Sequence, residues 1–313
     1  MKISDLIFNI LDTKGIGRVK ANTICNAISS YLTNANEVSD RYEQISIALG
    51  SYFDRETIQN IFSKKVIVDI KESTPSVFYV SKYQHCFPKS LLDMKTECPP
   101  ILSCIGNIDL LKRHKIGFCG SREATPKGLD VAQDISKQVS NNNIVVVSGY
   151  ASGIDQQAHY WALKNNGATI IVLPEGINNF RIKKYLKSVW DWDRVLVLSE
   201  YVPNAIWSVN RAMQRNTTIV GLSDVMVLIE AKEKGGSIDA GYKTLQMNKV
   251  LFAPVYDGMP TEASGNSILL QKGALPLRKK RDTGLANLDY MFNLMNAGGG
   301  NRQRGLFDNL DDL

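Results

Sequence analysis

The chain has 313 residues, 44% of them hydrophobic and 22% charged, with a formal charge of +6. That is the composition of an ordinary globular chain with room for two domains, and it argues against disorder. No apolar run approaches the length of a membrane span, and Met1-Lys2-Ile3-Ser4-Asp5 lacks the features of a secretory signal, so a cytoplasmic protein with no membrane partner is expected.

Residues 1–65 carry helical spacing, as in Leu6, Ile7, Ile10 and Leu11, then Val19, Ile24, Ala27 and Ile28. Between these stretches lies Lys14-Gly15-Ile16-Gly17-Arg18-Val19-Lys20, whose amides and cations suit a phosphate-gripping helix-hairpin-helix. A plain helix-helix turn that needs glycine only for its backbone angles fits the same residues. Residues 66–115 break into short segments around Pro75, Pro88, Pro99 and Pro100, which reads as a connector with short strands.

Residues 116–277 alternate apolar runs with helix-length segments. The runs are 116–119, 144–147, 169–173, 195–198, 225–229 and 250–255, and the helices are expected over 127–140, 154–165, 181–189, 208–221 and 237–248. This is the pattern of an α/β fold: an extended Rossmann-like, doubly wound, mostly parallel sheet, here preceded by a small helical domain. Residues 278–313 turn basic, then Gly-rich, then acidic, and are expected to form a weakly ordered tail. Basic residues also gather at Lys112-Arg113-His114-Lys115 and at Arg181, Lys183, Lys184 and Lys187, where a solvated face is the plainer reading.

Two strand-to-helix junctions are rich in small residues. The first reads Gly120-Ser121-Arg122, then Thr125-Pro126-Lys127-Gly128, and the second Ser148-Gly149-Tyr150-Ala151-Ser152-Gly153-Ile154-Asp155. With Gly235-Gly236-Ser237 after the fifth run, three helix N-termini would face one crevice outside the carboxyl ends of the strands. Each favours an anion by about 0.3–1 kcal/mol, and Arg122 adds a cation. Thr125 before Pro126 is an N-cap followed by proline at the first helical position.

Enzyme motifs are missing from the sequence. It contains no G-x-x-x-x-G-K-[ST] and no G-x-S-x-G, and Gly117-Phe118-Cys119-Gly120 stands where a dinucleotide fold would show G-x-G-x-x-G. Five cysteines form no C-x-x-C and three histidines lack metal-ligand spacing, so reduced thiols and no metal are expected. His159 reads as a structural or supporting donor, and Asp155 as a helix cap or loop orienter as readily as a chemical group. An anion site without an acid, base or metal constellation points to binding, not catalysis.

Taken together, Gly120-Ser121-Arg122 with Thr125 and Gly128, the Ser148–Asp155 junction with Ala158-His159, Ser199-Glu200-Tyr201, Arg215-Asn216 leading to Gly221-Leu222-Ser223-Asp224, and Gly236-Ser237 resemble the DNA-processing protein A (DprA/Smf) family. Phe87-Pro88, Leu91, Pro99-Pro100, Gly106-Asn107 and the Gly15-Ile16-Gly17 hairpin are similar as well. The resemblance implies a homodimer that binds single-stranded DNA without a cofactor and delivers it to a RecA-type recombinase in transformation and recombination. It implies that Gly120, Ser121 and Arg122 hold phosphate and sugar, with Thr125, Lys127, Gly236 and Ser237 beside them. On the same ground Ser148, Gly149, Ser152, Gly153 and Asp155 build the adjoining loop, and Arg215 with Asn216 lines the groove. Tyr150, Phe180 and Trp207 are candidate base stackers, with packing the alternative for each.

The chain departs from the family's pattern at Pro174-Glu175-Gly176, at Asn179-Phe180-Arg181, at Val209–Gln214 and at Arg215-Asn216-Thr217, and 278–313 resembles no winged-helix domain. These departures keep a second reading open: a nucleotide-sensing or antitoxin component of an anti-phage or toxin-antitoxin system, with a toxin partner. A third, cleavage of nucleoside monophosphates, lacks its expected glutamate in Lys234–Tyr242.

Overall fold

A computed structural model describes residues 1–33, 37–70, 74–256 and 260–297. In chain order the elements are α1 (Ile3–Asp12), α2 (Arg18–Ala27), α3 (Ser29–Leu32), α4 (Tyr42–Leu49), α5 (Arg55–Ser63), β1 (Phe78–Ser81), α6 (Lys89–Leu92) and β2 (Ile101–Gly106). There follow β3 (Lys115–Gly120), α7 (Pro126–Asn141), β4 (Val145–Ser148), α8 (Ile154–Lys164), β5 (Thr169–Val172), β6 (Val195–Ser199) and α9 (Val209–Leu222). The chain continues with β7 (Val225–Ile229), α10 (Gly236–Gln246), β8 (Val250–Pro254), α11 (Ser264–Gln271), β9 (Leu275–Leu277) and α12 (Asp289–Asn296). None of the described helices is long and apolar enough to cross a membrane.

Two compact units result. One comprises Met1–Gly106, Leu173–Arg181 and Val197–Arg211, and the other Asn107–Val172, Ile182–Leu196 and the chain from Ala212. The units do not follow the contiguous boundaries expected at 65, 115 and 277. Residues of the expected connector, Tyr79, Tyr83 and Ile101, pack into the same core as the N-terminal helices.

In the first unit α1 buries Ile3, Leu6, Ile7 and Ile10, the one-sided helical spacing seen in the sequence, against Ala21, Ile24 and Cys25 of α2. Phe8 meets Tyr79 edge to face at 5.3 Å. β1 runs antiparallel to β2, pairing Phe78 with Cys104 and Ser81 with Ile101. The α1–α2 turn is glycine-bounded as expected, with Gly15 at φ +80°. Its central cation is not available to a ligand: Arg18 is buried, pairs with the buried Glu200 carboxylate and donates to the Glu97 carbonyl at 2.8 Å. Lys14 and Lys20 stay exposed.

Among the described residues the second unit holds six parallel strands in the order β5-β4-β3-β7-β8-β9. The Val- and Ile-rich runs of β4, β5, β7 and β8 are wholly buried, as parallel strands covered on both faces must be. The chain winds from β3 through β4 to β5 in one direction and from β7 through β8 to β9 in the other. The order therefore reverses between β3 and β7.

Two expectations fail here. The helix expected over 181–189 is only a 3-10 turn at Lys184–Leu186, because the Lys183 N–H donates to the Tyr150 hydroxyl at 3.0 Å and the following amides close short i to i−3 bonds. The tail expected to be weakly ordered from 278 instead continues the fold: Ala286, Leu288, Met291 and Met295 are buried in the core of the second unit, and α12 packs there. The expectation for 298–313 lies outside the described residues.

A buried ion pair is strongly destabilising to break and close to neutral to replace whole. We expect Arg18→Ala to destabilise the protein by about 3–5 kcal/mol and Arg18→Met with Glu200→Leu by much less, both read from urea midpoints.

Candidate nucleic-acid interface

The carboxyl ends of β3 and β7, where the strand order reverses, carry the Gly120–Arg122 loop on one side and Glu230–Gly235 on the other. Ser237 Oγ, in the first turn of α10, donates to the Gly120 carbonyl at 2.7 Å and ties the two sides together. The β4–α8 loop is joined to the same place. Ile154 N–H donates to the Ser121 carbonyl at 3.2 Å, and Gly153, at φ +74°, lies so close that a Cβ there would sit 2.2 Å from that oxygen. Only glycine meets both conditions.

The three helix N-termini are not equivalent. At α7, Thr125 accepts from Gly128 N–H at 3.1 Å as the expected cap, and Pro126 opens the helix. The anion position in front of it is taken by the chain itself: the fully buried Glu230 carboxylate accepts from Thr125 N–H at 2.8 Å and from its hydroxyl at 2.5 Å. A Cβ on Gly128 would lie 2.4 Å from that carboxyl carbon, so the glycine is what admits it. At α8, Asp155 of the first turn reaches back into the preceding loop, accepting from Ser148 Oγ at 2.9 Å and Ala151 N–H at 3.2 Å. The start of α10 is approached through the exposed residues Lys232, Glu233, Lys234 and Gly235.

This sorts the expected site residues. Arg122, Lys127 and Ser152 are exposed. Gly120, Ser121, Gly153, Gly236 and Ser237 hold the loops at the edge. Arg215 does not line a groove: it is 4% exposed, donates from Nη1 to the Val172 carbonyl at 2.8 Å and lies under Gly149, where a Cβ would fall 1.9 Å from that nitrogen. Asn216 is also buried, and its Nδ2 donates to the Gly236 carbonyl at 3.1 Å, which seats the start of α10. Ser148 is wholly buried, and Asp155 and Thr125 are engaged by partners within the chain. Lys127 stands over the Tyr256 ring, 5.1 Å from its centroid.

Of the three candidate stackers, Phe180 is 1% exposed and packs in the core. The Tyr150 ring is half-buried with Lys183 Nζ 4.4 Å from its centroid. Trp207 keeps 46% of its surface exposed.

Sequence reasoning missed Glu230, Lys183 and the Lys232/Lys234 pair. Glu230 had one signal, its place directly after the buried β7 run. Lys232 and Lys234 had another, since they directly precede the diglycine at a helix start.

His159 and Cys119, two groups near this edge able to do acid-base or nucleophilic chemistry, are held inside the fold. His159 is fully buried, with Nε2 2.5 Å from the Gly149 carbonyl and Nδ1 2.7 Å from Thr169 Oγ1. Burial lowers its pKa to about 4, against opposing help from the Gly149 bond, so the ring is neutral and carries its proton on Nε2. Burial pushes the Cys119 thiol up to about 12, away from the thiolate a nucleophile needs. No group of three or more His, Cys, Asp or Glu among the described residues could hold a metal ion.

These features define an α/β protein with a Rossmann-like parallel sheet whose reversal point presents exposed cations beside the start of α10. The chain belongs to the family of the DNA recombination-mediator protein A, whose model matches residues 78–286. It is 29% identical over 233 residues to DNA processing protein DprA of Bacillus subtilis, covering 73% of this chain and 77% of that one. Against DprA of Streptococcus pneumoniae the identity is 33% over 212 residues, covering 66% and 72%. The X-ray structure of the pneumococcal protein superposes with a TM-score of 0.70 at 27% identity, over 88% of this chain and 95% of that one. DprA from Helicobacter pylori, a structure concerned with that protein's single-stranded DNA binding mode, gives 0.59 at 25% identity, over 72% and 97%.

The unfolded chain takes up the His159 proton near pH 6.5 and the folded chain near 4. Stability present above pH 6.5 is therefore lost as pH falls through this window, by about 3 kcal/mol in all. Urea titrations between those pH values should show a slope of about one proton that His159→Gln removes. Gly153→Ala should destabilise by about 1–3 kcal/mol in the same assay, through its backbone angle and its contact with the Ser121 carbonyl.

Proposed function

We propose that this chain binds single-stranded DNA along the carboxyl edge of its parallel sheet and delivers it to a RecA-type recombinase. It does so as a cytoplasmic homodimer, without a cofactor and without breaking a bond. The observation that carries this reading is the exposed reversal point: Arg122, Lys232 and Lys234 surround the N-terminus of α10, a place suited to a sugar-phosphate backbone. The single-stranded DNA binding of the Helicobacter relative supports it. Lys232 makes a surface contact with Glu123 at 3.6 Å, with side chains 55% and 86% exposed, which a phosphate can displace at little cost.

Titration of a labelled unstructured oligonucleotide should show binding that weakens with salt, at a log-log slope of about −0.7 per neutralised phosphate. Arg122→Ala should weaken it and flatten the slope by about 0.7. An unchanged isotherm removes Arg122 from the site. Saturable binding of mononucleotides in place of oligonucleotides would move the conclusion to the nucleotide-sensing reading.

A further inference from the structure

The basic cluster at 278–281 was expected on a loose tail, and the fold makes it a rigid hairpin. Lys279 bridges Ala286 in antiparallel fashion, Lys280 N–H donates to the Leu285 carbonyl at 2.7 Å, Gly284 N–H to the Lys280 carbonyl at 2.9 Å, and Asn287 N–H to the Arg278 carbonyl at 2.8 Å. Gly284, at φ +69°, lets the chain turn. The hairpin is fastened to α7 from both sides of one residue: Gln138 Nε2 donates to the Ala286 carbonyl at 3.0 Å, and the Ala286 N–H donates to Asp134 Oδ2 at 2.6 Å.

The four cations on this hairpin have different duties. Lys280 is paired with Asp289 at 2.7 Å and helps fix the start of α12. Arg278, Lys279 and Arg281 are exposed, and nothing in the packing of the hairpin uses their charge. Asp282, the acidic residue in the turn, accepts from Thr283 N–H at 2.8 Å. A surface-held, pre-ordered group of three cations loses little conformational entropy when it meets a polyanion.

Its position matters as much as its charge. β9 runs parallel to β8, so Arg278 follows a strand at the same carboxyl edge as Gly120 and Ile229. In the order β3-β7-β8-β9 it stands three strands from β3, about 15 Å along the edge.

We propose that Arg278, Lys279 and Arg281 form a second single-strand contact, holding backbone phosphates of nucleotides beyond those at the Arg122 edge. The partner is a phosphodiester chain recognised without regard to sequence. This rests on the single-strand reading above and extends the strand's path to the β9 side of the sheet.

The test compares the intact protein with the variant Arg278→Ala/Lys279→Ala/Arg281→Ala, using fluorescence anisotropy of labelled oligo-dT of about 4 and about 30 nucleotides. Salt is varied from ~50 mM to ~200 mM. On the long strand the variant should bind at least tenfold more weakly at the lower salt, with a slope shallower by about 2, three phosphates at 0.7 each. The short strand should be bound as before. Arg278→Lys/Arg281→Lys should retain the original slope, and thermal melting should match that of the parent. Unchanged slope and affinity on the long strand overturn the proposal while leaving the Arg122 site intact. Equal losses on both lengths overturn it too, since they place the hairpin at the first contact. Failure of the parent protein to bind either strand overturns the function reading, and this inference with it.

Discussion

A parallel sheet gathers the first amides of its helices at one edge, and every one of those N–H groups needs an acceptor. In this chain part of that demand is met from within. Glu230 accepts from the Thr125 N–H just before α7, Thr125 Oγ1 accepts from Gly128 N–H and the Ser121 carbonyl from Ile154 N–H at the start of α8, while Ser237 and Asn216 seat the start of α10 by donating to the Gly120 and Gly236 carbonyls. The consequence is a rigid edge. Its loops are cross-linked to one another, and what is left for a ligand is set by what the chain has not already filled.

Filling these positions with charged groups has an energetic logic of its own. A buried carboxylate without partners is costly, yet one that accepts from a backbone N–H and a hydroxyl at a helix N-terminus is compensated by both bonds and the dipole. Glu230 sits at φ +52°, an uncommon conformation for a residue with a side chain, and the surrounding contacts hold it there. Arg215 is placed similarly, beneath Gly149 and beside Asp155, so a guanidinium that looks like a ligand contact in the sequence supports the β4–α8 loop from below.

The strands β3, β4, β5, β7 and β8 of the second unit were legible because burial on both faces forces continuous apolar runs; 225–229 is an exact match and the others differ by a residue or two, whereas the short, partly exposed edge strand β9 was not expected. The Thr125-Pro126 start of α7 was legible because cap chemistry is local. The fates of Arg18, Arg215 and Asp155 were not, because their partners Glu200, Val172 and Ser148 are brought to them only by the fold. The same holds for 278–297. Its polar, Gly-containing sequence has the composition of a tail, but Leu288, Met291 and Met295 meet the core once β9 has delivered them there. The helix expected over 181–189 shows the reverse case, in which a long-range bond from Lys183 to Tyr150 overrides helical spacing.

The filled edge also bears on what kind of phosphate ligand suits it. A mononucleotide needs an enclosed pocket that surrounds its base and sugar, with a few converging polar groups. The places in this fold where such a pocket would begin, beneath Gly149 and in front of α7, hold Arg215, Asp155 and Glu230 instead. What remains is a run of exposed cations along an open edge: Arg122, Lys232 and Lys234 at the strand-order reversal, then Arg278, Lys279 and Arg281 beyond β9. A small anion gains little from cations spread over several strand widths. A polymer with a charge on every nucleotide gains from each in turn, and the released counterions make that gain depend on salt. The division between filled pockets and an open cationic edge therefore favours a strand over a single nucleotide, on grounds independent of any relative.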